Sequence, residues 1–156
     1  MEVDTYRDEM LLPILLSLVL NSPSNTPPQV RNDAELQMVS GLNLERQSAG
    51  LLPVEVDARL TDIARSHADD MLRRNYFSHS SPDGLSPFDR MRAAHYEFTY
   101  AAENIALAQG EPAAEVALWN SAPHRKNILG EHYLRIGVGV FSAPDGKMAF
   151  VEDFSN

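Results

Sequence analysis

The chain has 156 residues and 44 % hydrophobic content, which is enough for one domain with a real core and too little for two comfortable ones. Its formal net charge is −9, and no basic stripe is available for phosphate contacts, so nucleic-acid binding is disfavoured. The absence of cysteine excludes disulfides, thiolate chemistry and cysteine-ligated zinc sites.

The first predicted element is an apolar run at residues 11–20, followed by a linker rich in Pro, Ser and Asn. Ten apolar residues cannot form a transmembrane helix, which needs about 20, but they match the hydrophobic region of a secretory signal. The acidic stretch 1–9 and the lack of a clean cleavage site leave a docked hydrophobic helix or a tail as alternatives. We expect residues 1–29 to comprise a signal or anchor segment and its linker, and residues 30–156 to form the folded domain.

Two helices are predicted in the next part of the chain by capping residues and apolar periodicity. The first begins at Asn32 or Asp33, ends at Ser48, and carries a thin apolar stripe. That stripe consists of Leu36, Val39 and Leu42. Asp57 caps the second helix, whose apolar face recurs at spacings of three and four residues. Its members are Leu60, Ile63, Ala64, His67, Ala68, Met71 and Leu72.

Two further helices are predicted after a loop. Ser86 suits the N-cap of the third helix, and Asp89 lies at the capping-box position three residues later. The inner edge of this helix is predicted at Phe88, Met91 and Arg92. The aromatic and β-branched segment 96–100 predicts a short strand. A fourth helix begins near Glu111 and is ended by Pro123. Its face is predicted at Ala113, Val116, Ala117 and Trp119 or Asn120.

The C-terminal part predicts a β-hairpin. Apolar residues alternate through residues 136–141 and 148–153, on either side of an Ala-Pro-Asp-Gly turn at 143–146. Gly137 and Gly139 fall on one face of the first strand. A bulky element is therefore expected to approach the backbone on that face.

Three short polar signatures place one ionisable side chain each at a defined position: His79, Glu103 and His124. The signatures are Phe-Ser-His-Ser at 77–80, Glu-Asn-Ile-Ala at 103–106 and Ser-Ala-Pro-His-Arg-Lys-Asn-Ile-Leu at 121–129. Two imidazoles and a carboxylate that meet in space can form a divalent-metal or polar-ligand site. Asn104, beside Glu103, is expected to have a structural role in tying the loop to backbone groups.

Other polar residues in these segments are expected to be structural. His67 lies on the apolar face of the second helix, where a histidine is usually a satisfied core residue. Asn43 and Arg46, one turn apart on the first helix, are expected to brace neighbouring segments. Ser121 lies three residues before His124, but no orienting acid or nucleophile-elbow glycines flank it, so a serine hydrolase is disfavoured.

The motifs together, in this order and from about Leu36 to Phe154, resemble a cysteine-free bacterial member of the CAP superfamily of cysteine-rich secretory, antigen 5 and pathogenesis-related proteins. The matching strings are Asn-Leu-Glu-Arg at 43–46, His-Ala-Asp-Asp-Met at 67–71, Tyr-Phe-Ser-His at 76–79, Pro-Asp-Gly at 82–84, Glu-Asn-Ile-Ala at 103–106, His-Arg-Lys-Asn-Ile-Leu at 124–129 and Ile-Gly-Val-Gly-Val at 136–140. The resemblance implies an α+β fold, an α-β-α sandwich with a three-stranded antiparallel sheet between helices and a cavity on one side.

The resemblance also implies a site, because the cavity of this family is usually lined by two His and two Glu. Position by position, the first His falls on His79, the first Glu on Glu103 and the second His on His124. The place of the second Glu falls on Ser121, and a hydroxyl cannot act as an acid or base as a carboxylate does. Trp119 lies one residue nearer to this serine than the family's usual Trp.

From these residues we expect His79 and His124 to hold a divalent metal such as Zn²⁺, or the cavity to take a small-molecule or lipid ligand. The preferred function is a secreted or envelope-associated binding module that recognises such a ligand or an extracellular component. The alternative is a metal-assisted hydrolase, peptidase-like, in which Glu103 takes a proton from a metal-bound water. A purely structural domain with a vestigial cavity is a third possibility.

Overall fold

The computed structural model describes residues 29–30 and 32–156. Within them the elements follow in the order β1 (Gln29–Val30), α1 (Asn32–Ser48), β2 (Glu55–Val56), α2 (Ala58–Arg73), α3 (Pro87–Ala93), β3 (Ala101–Ala108), α4 (Glu111–Asn120), α5 (Ala122–Ile128), β4 (Arg135–Ser142) and β5 (Met148–Ser155). Residues 1–28, on which the signal or anchor prediction rests, lie outside the described residues. No helix in the described part of the chain is both long and apolar enough to cross a membrane.

The sheet is built from three long antiparallel strands in the order β4–β5–β3. Two strands of two residues each lie along the free edge of β4: β1 pairs antiparallel with its end, and β2 pairs parallel with its start. The predicted α+β class and the three antiparallel strands are therefore confirmed. The predicted strand count was too low, because strands of two residues leave no alternation in the sequence.

Helices cover both faces of the sheet. The face that carries Ile136, Val138 and Val140 packs against α1, α4 and α5 in the largest apolar cluster. The opposite face contributes Ile105 and Val151 to a second cluster with α2. This arrangement follows from the period of two along each strand, which sends neighbouring residues to opposite layers.

The two glycines of β4 allow α2 to approach the sheet closely, as the hairpin pattern predicted. A Cβ atom added to Gly137 would lie 2.1 Å from the backbone carbon of Leu60. A Cβ atom added to Gly139 would lie 2.2 Å from the backbone nitrogen of Arg65. Because the obstructing atoms belong to the helix backbone, no side-chain rotation can make room.

Gly139→Ala is therefore expected to lower the free energy of unfolding by about 1–3 kcal/mol through overpacking. Urea denaturation measures this loss. Gly110→Ala is the control, since its added Cβ would lie 3.8 Å from Cδ of Pro112, an ordinary contact, and the change at this helix N-cap is expected to cost less than about 1 kcal/mol. Equal losses in the two variants would contradict the close approach.

The predicted caps of α2 and α3 are confirmed. At the start of α2, Asp57 Oδ1 accepts hydrogen bonds from the backbone N–H groups of Arg59 and Leu60 at 2.9 and 3.0 Å. At the start of α3, Ser86 Oγ accepts from the N–H of Asp89 at 3.2 Å, and Asp89 Oδ2 accepts from the N–H of Ser86 at 3.0 Å. Both helices therefore begin where local chemistry satisfies their free amides.

The polar residues of α1 brace neighbouring segments, as predicted. Asn43 donates to the carbonyl of Val54 at 3.0 Å and accepts from its N–H at 2.8 Å. Arg46 is 2 % exposed and its guanidinium donates only to backbone carbonyls among the described residues. Those carbonyls belong to Leu52, Ile128, Gly130 and Tyr133, at 2.9, 2.8, 2.9 and 3.2 Å.

The predicted faces of three helices were partly wrong. The exposed members are Leu36 of α1, Phe88 and Arg92 of α3, and Ala113, Val116 and Ala117 of α4. Leu42 of α1 and Met91 of α3 are buried as predicted, and the buried residues that were missed are Ala34 and Met38 of α1 and Ala114 and Leu118 of α4. The buried positions of α4 each lie one residue after a predicted alanine. Alanine occurs at neighbouring positions of this helix, so its apolar periodicity does not select one face.

The strand predicted at residues 96–100 was also wrong, since the strand begins at Ala101. The N–H groups of Thr99 and Tyr100 donate to Oδ1 of Asn156 at 2.8 and 2.9 Å, so a side chain takes the place of a strand partner. The true strand, β3, is rich in alanine and was missed because alanine has low β propensity. Its pairing with β5 along eight residues holds it in the sheet.

Candidate functional site

Strand β3 positions the two central polar residues of the candidate site. Glu103 lies inside β3, directly opposite Asp153 of β5. Its side chain is 1 % exposed and faces the α2 layer. Asn104, the next residue, points to the opposite face, as alternation along a strand requires.

Both oxygens of the Glu103 carboxylate are engaged. His79 Nδ1 lies 2.8 Å from Oε1, and Arg90 Nη2 donates to Oε2 at 2.5 Å. Because a carboxylate beside a guanidinium is an acceptor, the proton of the bond to His79 belongs to Nδ1. In the neutral ring this leaves the lone pair on Nε2, and the side chain of His79 is 49 % exposed.

Arg90 was not identified from the sequence, although it organises the loop that carries His79. Its Nη1 donates to the carbonyl of His79 at 2.9 Å and to that of Leu85 at 3.1 Å, while Nη2 holds Glu103. The only indication in the sequence is general: a buried carboxylate requires a charged or hydrogen-bonding partner. Nothing in the local pattern selects this arginine from the others.

His67 fixes the same loop from the α2 side. It is 1 % exposed, as predicted for a core residue, and its Nε2 lies 3.0 Å from the carbonyl of Ser78. Burial lowers the pKa of His67, although the nearby charge of Glu103 raises it. Since a carbonyl only accepts, Nε2 of His67 carries the proton and donates a hydrogen bond to the carbonyl of Ser78, the residue before His79.

The first turn of α5 carries the second imidazole. Nδ1 of His124 is buried and has no hydrogen-bond partner within the described part of the chain. Burial lowers the pKa of His124, and a charge on His79 would lower it further. The carbonyl of His124 accepts from Asn104 Nδ2 at 3.2 Å. This bond agrees with the structural role expected for Asn104.

A second carboxyl lies beside Glu103, and it was not identified from the sequence. Asp153 is 1 % exposed, and both its oxygens are buried without a hydrogen-bond partner among residues 29–30 and 32–156. Burial raises the pKa of Asp153 well above its ordinary value and the charge of Glu103 raises it further, whereas Arg90 lowers it. The strand register could have revealed this pair, because it places residues 103 and 153 opposite each other.

Ser121 lies where α4 ends and α5 begins. No hydrogen bond joins its hydroxyl to His79, Glu103 or His124 among the described residues. Its membership of the site therefore stays a prediction.

Few side chains of the described residues are available as metal ligands. The described residues contain no group of three or more His, Asp or Glu side chains that could hold a metal ion. The exposed Nε2 of His79 and the unpartnered Nδ1 of His124 are two imidazole donors, the ligand type that zinc accepts. Any remaining ligands would come from water or from a bound molecule.

The comparisons with known proteins agree with this architecture. The family profile "CAP: Cysteine-rich secretory protein family" matches residues 39–154. The chain is 42 % identical over 120 residues to the uncharacterized protein YkwD of Bacillus subtilis (strain 168), covering 76 % of this chain and 46 % of that protein. The chain thus spans less than half the length of this relative.

Two solved structures are similar in fold. The first is an extracellular protein containing a SCP domain from Bacillus anthracis, with a TM-score of 0.74 and 32 % identity over 80 % of this chain and 41 % of that one. The second is an outer surface protein from Borrelia burgdorferi, with a TM-score of 0.77 over 83 % of this chain and 98 % of that one. At 19 % identity the second likeness concerns the fold alone.

Proposed function

Because this chain belongs to the cysteine-rich secretory protein (CAP) family, we propose that it is an exported, extracellular or envelope-associated binding module. Its binding centre is the cluster of His79, Glu103 and His124, which takes a divalent metal such as Zn²⁺ or a small ligand. The Bacillus anthracis protein, which is 32 % identical to this chain and is described as extracellular, supports the location.

One observation carries the proposal: the 2.8 Å contact between Nδ1 of His79 and Oε1 of Glu103. A carboxylate that accepts from one ring nitrogen fixes the tautomer, orients the ring and makes the other nitrogen a better ligand. The unpartnered Nδ1 of His124 supplies a second neutral donor. A bound divalent ion would provide a positive charge that attracts an anionic or polar ligand group.

The same contacts favour binding over hydrolysis. Glu103 would have to accept a proton from a metal-bound water in the hydrolase alternative, yet His79 and Arg90 occupy both of its oxygens. A protease screen on unfolded substrates, with and without chelator, separates the two functions. Chelator-sensitive cleavage that disappears in Glu103→Gln would favour the hydrolase.

Calorimetric titration with Zn²⁺ tests the metal site. The wild-type protein is expected to bind, and the double variant His79→Ala/His124→Ala to show no binding. Glu103→Gln is expected to bind about 10–100-fold more weakly, because the ring of His79 loses its oriented acceptor. Affinity should fall as pH drops through the histidine range, near ~6.5 for an unperturbed ring, because protons compete for the same lone pairs.

His132→Ala is the matched control, because His132 is exposed and belongs to none of the contacts described above. It is expected to leave zinc binding unchanged. Equal affinity in the wild type and in the double variant would reject the site.

A further inference from the structure

A cavity lies on the opposite face of the sheet from Glu103, between α1, α4 and α5. Its volume is about 190 Å³. The apolar side chains that line it are Met38, Leu42, Val116, Leu118, Trp119 and Ile128. In another protein, an engineered apolar cavity of roughly 150 Å³ holds benzene, so a single aromatic ring is a suitable guest for this space.

Three carboxyl groups line this apolar space: Glu45 of α1, Glu115 of α4 and Glu152 of β5. Glu152 is 2 % exposed, and its Oε2 accepts from Asn104 Nδ2 at 2.9 Å. Oε1 of Glu115 is buried and has no partner among the described residues. A buried carboxyl oxygen without a donor is costly, and here it adjoins a space that a donor could fill.

No positive side chain balances these groups among the described residues. The lining residues include neither Lys nor Arg, and none of the three glutamates forms an ion pair with a described residue. Arg125 of α5 lies over the ring of Trp119 at 5.8 Å and donates to the backbone carbonyl of that residue at 2.9 Å. The guanidinium of Arg125 thus contacts the tryptophan, and it forms no ion pair with the three acids among the described residues.

The carboxyls also affect each other. Burial, and then the neighbouring Glu111 and Glu45, raise the pKa of Glu115 to about 7. Burial and the charge of Glu115 raise the pKa of Glu152 to about 7, although the hydrogen bond from Asn104 lowers it. Above this pH the cavity holds uncompensated negative charge, which a positive guest would neutralise.

We propose that this cavity binds a small organic cation with an apolar body, such as an arylalkylammonium ion. The ammonium group pairs with Glu152 and Glu115, and the ring packs against Trp119 and the aliphatic wall. An anionic guest such as a carboxylate would add negative charge to a group of three acids and is excluded. The cavity is separate from the contact between His79 and Glu103, which lies on the other face of the sheet.

Fluorescence titration of the full chain tests the proposal directly, because Trp119 is the single tryptophan of the sequence and lines the cavity. The probes are benzylammonium, benzyl alcohol and benzoate, which share one ring and differ in charge. At about pH 8, above the pKa of about 7, benzylammonium is expected to bind at least about tenfold more tightly than the alcohol. Benzoate is expected to give no saturable change.

Glu152→Gln keeps the shape of the side chain and the acceptor for Asn104, and is expected to weaken benzylammonium binding by about tenfold or more. Glu115→Gln is the second variant and is expected to weaken benzylammonium binding as well. It provides the test if Glu152→Gln does not fold. Glu97→Gln is the matched control, because Glu97 is exposed and outside the cavity lining.

Equal affinity for benzylammonium and benzyl alcohol would overturn the proposal, as would tighter binding of benzoate. Equal affinity of benzylammonium for Glu152→Gln and Glu97→Gln would do so as well. His79→Ala, which removes a zinc donor on the other face of the sheet, is expected to bind benzylammonium like the wild type. Failure of zinc binding and failure of cation binding are thereby distinguished.

Discussion

Glu103→Ala is expected to lower the free energy of unfolding by about 3–5 kcal/mol, because it leaves the Arg90 guanidinium without its carboxylate. The side chains of Arg90 and Glu103 are 11 % and 1 % exposed, so water cannot replace the lost partner at little cost. The same change removes the acceptor of the His79 Nδ1–H group, so the loop that carries His79 loses one of its contacts. Urea denaturation near neutral pH measures the loss.

Two comparisons make this result specific. Glu97→Ala removes an exposed acid of the same type and is expected to change stability by less than about 0.5 kcal/mol. Glu103→Gln keeps an acceptor for Arg90 and should fall between the two. A loss below about 1 kcal/mol in Glu103→Ala would contradict the expectation, and it would indicate that Asp153 ionises and takes over the guanidinium.

Glu152→Gln is expected to make the protein more stable than the wild type at about pH 8, by up to about 3 kcal/mol. Burial raises the pKa of Glu152 to about 7 from the ordinary 4.5. Between these values the unfolded chain has released the proton while the folded chain still holds it, so stability falls as pH rises. Glutamine has no proton to lose and avoids this penalty, while Asn104 keeps its acceptor.

Urea denaturation of both proteins at about pH 4 and about pH 8 measures this effect. The two proteins should differ little at the lower pH, where the carboxyl is largely neutral in both states, and the advantage of the variant should appear at the higher pH. Glu97→Gln is expected to show no such pH-dependent difference. A variant less stable than the wild type at about pH 8 would show that the ionised carboxyl has compensating contacts.

The expected stabilisation opposes the expected loss of cation binding in the same variant. A glutamate that lowers the stability of the fold but strengthens ligand binding is typical of binding sites, where stability and function often conflict. The two measurements therefore test one physical claim from opposite directions.

Local chemistry made much of the fold predictable. Asp57 and Ser86 act on amides two or three residues away, so the starts of two helices could be predicted without knowledge of the tertiary structure. The hairpin was predictable for the same reason, since its turn and its alternation are local. Helix faces depend on what packs against them, and Leu36 was predicted to be buried although it is 69 % exposed.

The candidate site was predictable only in part. Order along the chain identified His79 and Glu103, and the structure places them in contact. Arg90 reaches Glu103 from α3, the helix after the loop. Asp153 lies opposite Glu103 through the register of β3 and β5. Both contacts depend on the tertiary fold and not on local sequence. Strand β3 itself was missed, so the sequence could not reveal which residue faces Glu103 across the sheet.

The hydrogen bonds around the loop before α3 have a consequence for recognition. His67 holds the carbonyl of Ser78, Arg90 holds the carbonyls of His79 and Leu85, and Glu103 orients the ring of His79. A guest arriving at His79 meets a preorganised surface. Little of its binding free energy is then lost to ordering the protein, and modest contacts can support useful affinity.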